Sequence, residues 1–336
     1  MVLGHVARSG RATALLVLLA CSSGLDPNAP AWHRIAATGP GARWGHTAVL
    51  DAVRDRMIVF GGQSSEGELA DVWALDLGAE TWRQLATTNA PSTRVNPAAV
   101  VDAVRDRMIV FGGRTGLTTS LDEAWALDLS TLAWSRLPSG PSARQRPHFA
   151  TDGARAWFYG GESFTSVQGD LWQFDFATNT WSLLPNAGDA PSARTCGAMA
   201  FIDGGLVVNG GHDVAFVRDG TWRYDLVAQA WSRVETEGGT AAGAHWAYAV
   251  DPKCGKLYLA GGDHFDNYDT ALTDVLSLRG PSRFSKVAVS VLPDAHDHAS
   301  LVLDSARSNL ILYGGTLADG QAYLDGTWVL PVELCP

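Results

Sequence analysis

Short apolar runs and short alternating runs follow one another along this chain, set apart by turn residues. Arg56 to Phe60 (RMIVF) is a continuous apolar run, suited to a strand covered on both faces. Asp71 to Leu77 (DVWALDL) alternates apolar and polar, as a half-buried strand does. His46 to Leu50 (HTAVL) precedes this pair and Thr81 to Leu85 (TWRQL) follows it, so the unit reads as four strands from inner to outer.

The unit repeats. Residues 51–62 and 102–113 are both DAVRDRMIVFGG, and Gly-Gly pairs recur at 61, 112, 160, 210, 261 and 314, at intervals of 51, 48, 50, 51 and 53 residues. Trp73 and Trp82 stand nine residues apart, as do Trp125 and Trp134, Trp172 and Trp181, and Trp222 and Trp231. Tryptophans in register point to packing between units rather than to a ligand platform. Unit five departs from the pattern, with Leu276 expected at the first Trp place and Phe284 or Val287 at the second. Unit six has Trp328 but no fourth strand before Pro336. Residues 32–38 (WHRIAAT) match 82–88 (WRQLATT), which predicts that the segment at Trp32 supplies the outer strand of the last unit and closes a ring.

These Gly-Gly and paired-Trp motifs resemble the kelch-repeat family, whose period is about 50 residues. The resemblance covers residues 32–336 and implies an all-β, six-bladed kelch-type β-propeller with four strands per blade. It leaves the activity open, because function lives in sites grafted on folds. Propellers of this kind include protein-binding modules, sialic-acid mutarotases, iron-using nitrile-specifier proteins and galactose oxidase.

The first 31 residues read differently. Arg8 and Arg11 flank a short apolar core, Ala12 to Ala20, which predicts a secretory signal over residues 1–20. Leu18-Leu19-Ala20-Cys21 resembles a bacterial lipobox. That implies lipidation at Cys21, a tether over 21–31, and a lipid-anchored or secreted domain. Cys196, Cys254 and Cys335 are too scattered to suggest a metal site or a disulfide-rich scaffold. The net charge of −10 and the lack of a basic run argue against nucleic acid, and no apolar stretch is long enough for a spanning helix. A membrane would be met only through the lipid, and a monomer is expected.

Binding chemistry is expected on the face built by the strand 2–3 loops and the interblade connections. The connections carry Pro-x-x-Arg elements ending in Arg43, Arg94, Arg144 and Arg194, which either grip anionic groups or bind carbonyls between blades. His46, His148 and His245 lie at inner strands and His212 follows a Gly pair. Two segments are candidates for a divalent cation, which the fold itself does not need. One is Asp263, His264, Asp266 and Asp269. The other is His296 with His298, whose spacing on an extended segment turns both to one side. No nucleophile elbow, zinc-protease helix or P-loop is present. The reading is a recognition module for a protein, peptide or glycan. A carbohydrate-active enzyme resembling sialate mutarotases, or a metal-dependent activity on the same face, is the alternative.

Overall fold

The computed structural model describes residues 29–334 apart from 214, 238–242, 252, 254, 263–272, 278–282, 288, 291–292, 294–295 and 318–321. Among the described residues every regular element is a β-strand. The longer sheets are five of four antiparallel strands and one, the fourth in the chain, of five, whose extra strand Ala187–Gly188 pairs in parallel with Ala230–Val234. In the first blade Thr47–Asp51, Arg56–Phe60, Val72–Asp76 and Thr81–Leu85 run from inner to outer. The second strand is buried along its whole length, Met57 to Phe60 as their apolar run requires and Arg56 through its bonds to Asp51 and the Leu129 carbonyl.

The Gly pairs join each blade to the next. The amide of the second glycine donates to the carbonyl three residues after the Pro of the following connection, or its equivalent. These bonds run from Gly62 to Arg94, Gly113 to Arg144, Gly161 to Arg194, Gly211 to Gly243, Gly262 to His296 and Gly315 to Arg43, at 2.8–3.0 Å. The last of them links the end of the chain to its beginning. Glycine is required here: a Cβ on Gly160, at φ 65°, would stand 2.2 Å from the Arg194 carbonyl oxygen.

The second tryptophans pack between blades. Trp82, Trp134, Trp181 and Trp231 lie against Tyr313, Phe60, Phe111 and Tyr159 of the preceding blade, with centroids 4.9–5.2 Å apart. Closure follows the sequence match. His33 pairs with Val329 and Arg34 with Trp328, and the Ile35 amide donates to Thr327 at 2.8 Å. Trp32 is thereby buried with Tyr258 and Val289 of blade five.

One expected position shifts. Phe284 pairs with Leu276 as Trp82 pairs with Leu75, so Phe284 does take the second Trp place. The first Trp place belongs to Asp274, opposite Leu259, not to Leu276. Asp274 follows Gly261 by 13 residues, as Trp125 follows Gly112, so the spacing from the Gly pair marks this place although the residue in it is polar.

The inner strands line a central channel. An apolar cavity of about 330 Å³ lies between them, walled by Val49, Val100, Met199, Val250 and Leu301. Phe149 and Tyr248 border this cavity and also a polar one of about 100 Å³ at the mouth. The Tyr248 hydroxyl donates to the Phe149 carbonyl at 3.1 Å and accepts from its amide at 3.3 Å, joining blades five and three across the channel. Tyr248→Phe is expected to cost about 1–2 kcal/mol in urea unfolding, since it leaves two partly buried backbone groups without that partner.

Candidate functional site

The four connection arginines are buried, and all but one of their buried guanidinium donors, Arg43 Nε, are committed. Arg43, Arg94, Arg144 and Arg194 each donate from Nη1 to the carbonyl of the first glycine of their own blade's pair, at 2.9–3.3 Å. Arg43 and Arg144 also bind Asp71 and Asp170 through both carboxylate oxygens, at 2.6–3.0 Å, and Arg94 binds Glu123 at 3.2 Å. The same acids accept from Nε1 of Trp73, Trp172 and Trp125, two residues on. In blade four Gly220 stands where the acid would be. There the Arg194 guanidinium lies 4.2 Å over the Trp222 ring instead, and burial holds it down to about 10. The geometry spends these side chains on blade architecture, with none turned to the channel for an anionic ligand.

His296 and His298 are not brought together. His298 has φ 54°, so the two-residue alternation of an extended segment fails there. His296 is buried, and its Nδ1 lies 2.6 Å from the Gly314 carbonyl, the register that arginine fills in blades one to four. His46 and His148 are buried as well. Burial first, and then Arg43 and Arg194 respectively, push each down to about 3, so both are neutral imidazoles. His148 Nδ1 meets the Tyr159 carbonyl at 3.2 Å. Cys21, Asp263, His264, Asp266 and Asp269 lie outside the described residues.

The channel mouth is formed by two rings of equivalent positions. The first holds Gly45, Asn96, Arg146, Cys196, His245 and His298, one per blade, all with φ between 53° and 61°. Each of the first five donates its amide to the carbonyl of the previous member, at 2.6–3.4 Å, with Gly45 bonding back to His298. The backbone of this ring repeats while its side chains do not. Five of the six are not glycine, and holding such residues left-handed costs on the order of 1 kcal/mol each. The second ring follows the Gly pairs and holds Gln63, Arg114, Glu162, His212 and Thr316. They bridge to Trp44, Val95, Gln145, Thr195 and Asp297.

Chemistry concentrates on one side. Arg146 pairs with Glu162 at 3.1 Å. His298 Nδ1 is 2.9 Å from one Asp297 carboxylate oxygen, and His245 Nδ1 is 3.7 Å from the other. The His245 and His298 rings stack with centroids 4.1 Å apart. Cys196 is buried between His212 and His245. Burial pushes its thiol up, but His245, Arg146 and hydrogen bonds from both histidines together hold it well below the usual thiol range.

Two family models match. The KLHDC2/KLHL20/DRC7 Kelch-repeats domain matches residues 85–262, more than half of the chain, and the Kelch motif matches residues 46–89. The chain belongs to the kelch-repeat family. This kelch propeller is similar to Adagio protein 3 of Arabidopsis thaliana, 34% identical over 122 residues, covering 34% of the chain and 19% of that protein. It is similar also to acyl-CoA-binding domain-containing protein 4 of Arabidopsis thaliana, 35% identical over 115 residues, covering 33% and 17%. A third match is tRNA wybutosine-synthesizing protein 2/3/4 of the same plant, 32% identical over 126 residues, covering 35% and 12%. The matched segments thus span a fifth or less of these relatives. Membership of the kelch-repeat family supports a protein-interaction module.

Sequence reasoning placed His212 and His245 at this face but missed Cys196, Arg146, Glu162 and Asp297 as a group. A signal existed. Aligning the second residue after each Pro-x-x-Arg gives Gly45, Asn96, Arg146 and Cys196. A position whose backbone setting repeats while its residue changes is not dictated by the fold.

Proposed function

We propose that this chain is an exported recognition module that docks a protein or peptide on the channel-mouth face of its propeller. The observation that carries the reading is a row of bare apolar side chains on that face. Leu117, Phe164 and Phe216 are 84%, 50% and 61% exposed, on the strand 2–3 loops of three consecutive blades. Beside them lie partly buried polar groups, among them Arg114, bonded to Glu68 at 2.8 Å, and the Arg146–Glu162 pair. Aromatic and aliphatic anchors around a polar centre are what a docking face needs. Export, with Cys21 lipidated, is supported by the basic flank, apolar core and Leu-Leu-Ala-Cys run at the N-terminus.

The test is a random peptide display screen against the purified processed protein. Binders are re-measured with Phe164→Ala and Phe216→Ala, each expected to weaken binding about tenfold or more. Val227→Ala is the control, 95% exposed on a strand 3–4 hairpin at the opposite face, and should change nothing. Equal loss with Val227→Ala, or none with either phenylalanine, would sink this assignment of the face. Labelling with radioactive palmitate that is lost in Cys21→Ala tests the anchor.

A further inference from the structure

We propose that Cys196, His212 and His245 form a binding site for a borderline transition-metal cation of the zinc class, with one coordination position left open to the channel. The site is independent of what docks on the rim. One ligand atom from each residue lies within 4.8 Å of the other two. A tetrahedral ion with sulfur at about 2.3 Å and nitrogen at about 2.0–2.1 Å needs ligand separations of roughly 3.3–3.6 Å, which small side-chain rotations supply. The ligands come from blades four and five, two from the left-handed ring and one from the ring above it.

Tautomer and charge both fit. His212 Nδ1 lies 2.8 Å from the Asp213 carbonyl oxygen, so Nδ1 carries the proton and Nε2 turns to the sulfur. The Nδ1 of His245 faces Asp297 across 3.7 Å, an ion-pair rather than a hydrogen-bond distance, and the same imidazole meets the Cys196 sulfur. A backbone carbonyl behind one imidazole and a carboxylate behind the other is the usual outer support of metal-binding histidines. Arg146 is matched by Glu162 at 3.1 Å. The thiolate of Cys196 and the carboxylate of Asp297 then leave two negative charges for a divalent cation. The flank is prepared as well: His298, bonded through Nδ1 to Asp297, has a buried Nε2 without a hydrogen-bond partner among the described residues. The mouth cavity of about 100 Å³ is lined by Cys196, His245 and His298. A thiolate with two imidazoles selects zinc or copper over the hard cations magnesium and calcium. Binding forms one metal–sulfur bond from the thiolate and two metal–nitrogen bonds from neutral imidazoles, releasing to solvent any proton those groups carried, with no change of oxidation state.

The test uses the full processed protein, stripped with a chelator and titrated with Zn²⁺ against a chromophoric competitor, then with Co²⁺ as a spectroscopic probe. One equivalent is expected to bind. The cobalt form should show a thiolate-to-metal charge-transfer band and the intense visible bands of a four-coordinate site. Cys196→Ser should abolish the charge-transfer band and weaken zinc on the order of 100-fold or more, and Asp297→Asn about 10–100-fold. The double variant Cys254→Ser/Cys335→Ser should keep band and affinity. Should Cys196→Ser not fold, His212→Asn, at a partly buried position, reads the same loss. A charge-transfer band that survives Cys196→Ser would overturn the proposal, as would zinc affinity equal in the parent and His212→Asn. So would a stripped protein that takes up no zinc while its Cys196 is alkylated rapidly at neutral pH, which would make the cluster a bare thiolate–imidazole pair.

Discussion

Arg144→Ala is expected to lower the stability of the propeller by about 3–5 kcal/mol, while Arg144→Met combined with Asp170→Asn lowers it far less. The side chain is 1% exposed and holds Asp170 through two bonds of 2.6 and 3.0 Å, the Gly160 carbonyl at 2.9 Å and the Ser142 carbonyl at 2.9 Å. Alanine removes the cation and leaves a cavity, a half-buried carboxylate and two unbonded carbonyls. Stranding one member of a buried pair is the expensive change. Methionine refills the volume. Arg144→Met combined with Asp170→Asn removes the stranded charge, and the asparagine carbonyl can still accept from Trp172 Nε1, now 2.7 Å from Asp170. Urea midpoints of the two single variants and the double give the coupling directly. A ligand-gripping arginine would behave oppositely: its removal would spare stability and abolish binding. Arg144→Ala with an unchanged midpoint would therefore reverse the scaffold role assigned to all four connection arginines.

The contrast between that arginine and the mouth explains what the sequence carried openly. Whatever the fold requires recurs in register and can be read. The Gly pairs recur because each makes the same bond to the next blade, and the Trp32 segment could be assigned to the last blade because it repeats residues 82–88. The partners of the arginines were readable in principle, as Asp71, Glu123 and Asp170 each sit two residues before a repeated Trp. The mouth was not. Cys196, His212, His245 and Asp297 come from three blades, and no two of them share a local motif. His298 also escapes the alternation rule, because its left-handed backbone turns it away from His296. Repetition identifies scaffold, so the chemistry of a propeller has to be sought where repetition breaks.

Acid should unfold this protein early, beginning near pH 6.5. His46 and His148 are fully buried, and each is held down to about 3, by burial first and then by Arg43 and Arg194. The unfolded chain binds these two protons near pH 6.5. The folded-state values are lower, so the unfolded state binds more protons between about pH 3 and 6.5, and stability falls as pH falls through that window. Above pH 6.5 both states are neutral and the effect vanishes. Each histidine then removes about 1.4 kcal/mol per pH unit below 6.5, with a ceiling on the order of 5 kcal/mol each if the site does not relax. Burial pushes Glu123 and Asp170 up, but hydrogen bonds from Trp125 and Arg94 to the one and from Arg144 to the other hold them low; they act in the same sense but only near and below the ordinary carboxylate range, so pH 5–6.5 isolates the histidines. Urea midpoints across pH 5–8 should therefore slope downward below 6.5, with His298, which burial and then His245 hold down to about 4, adding in the same sense, and the depressed Cys196 thiol giving a further slope above 6.5. His46→Gln should flatten that slope by about 1.4 kcal/mol per pH unit, and His46→Gln/His148→Gln by about twice as much. Variants that lower the midpoint at every pH but keep the parental slope would show that these imidazoles protonate within the folded channel.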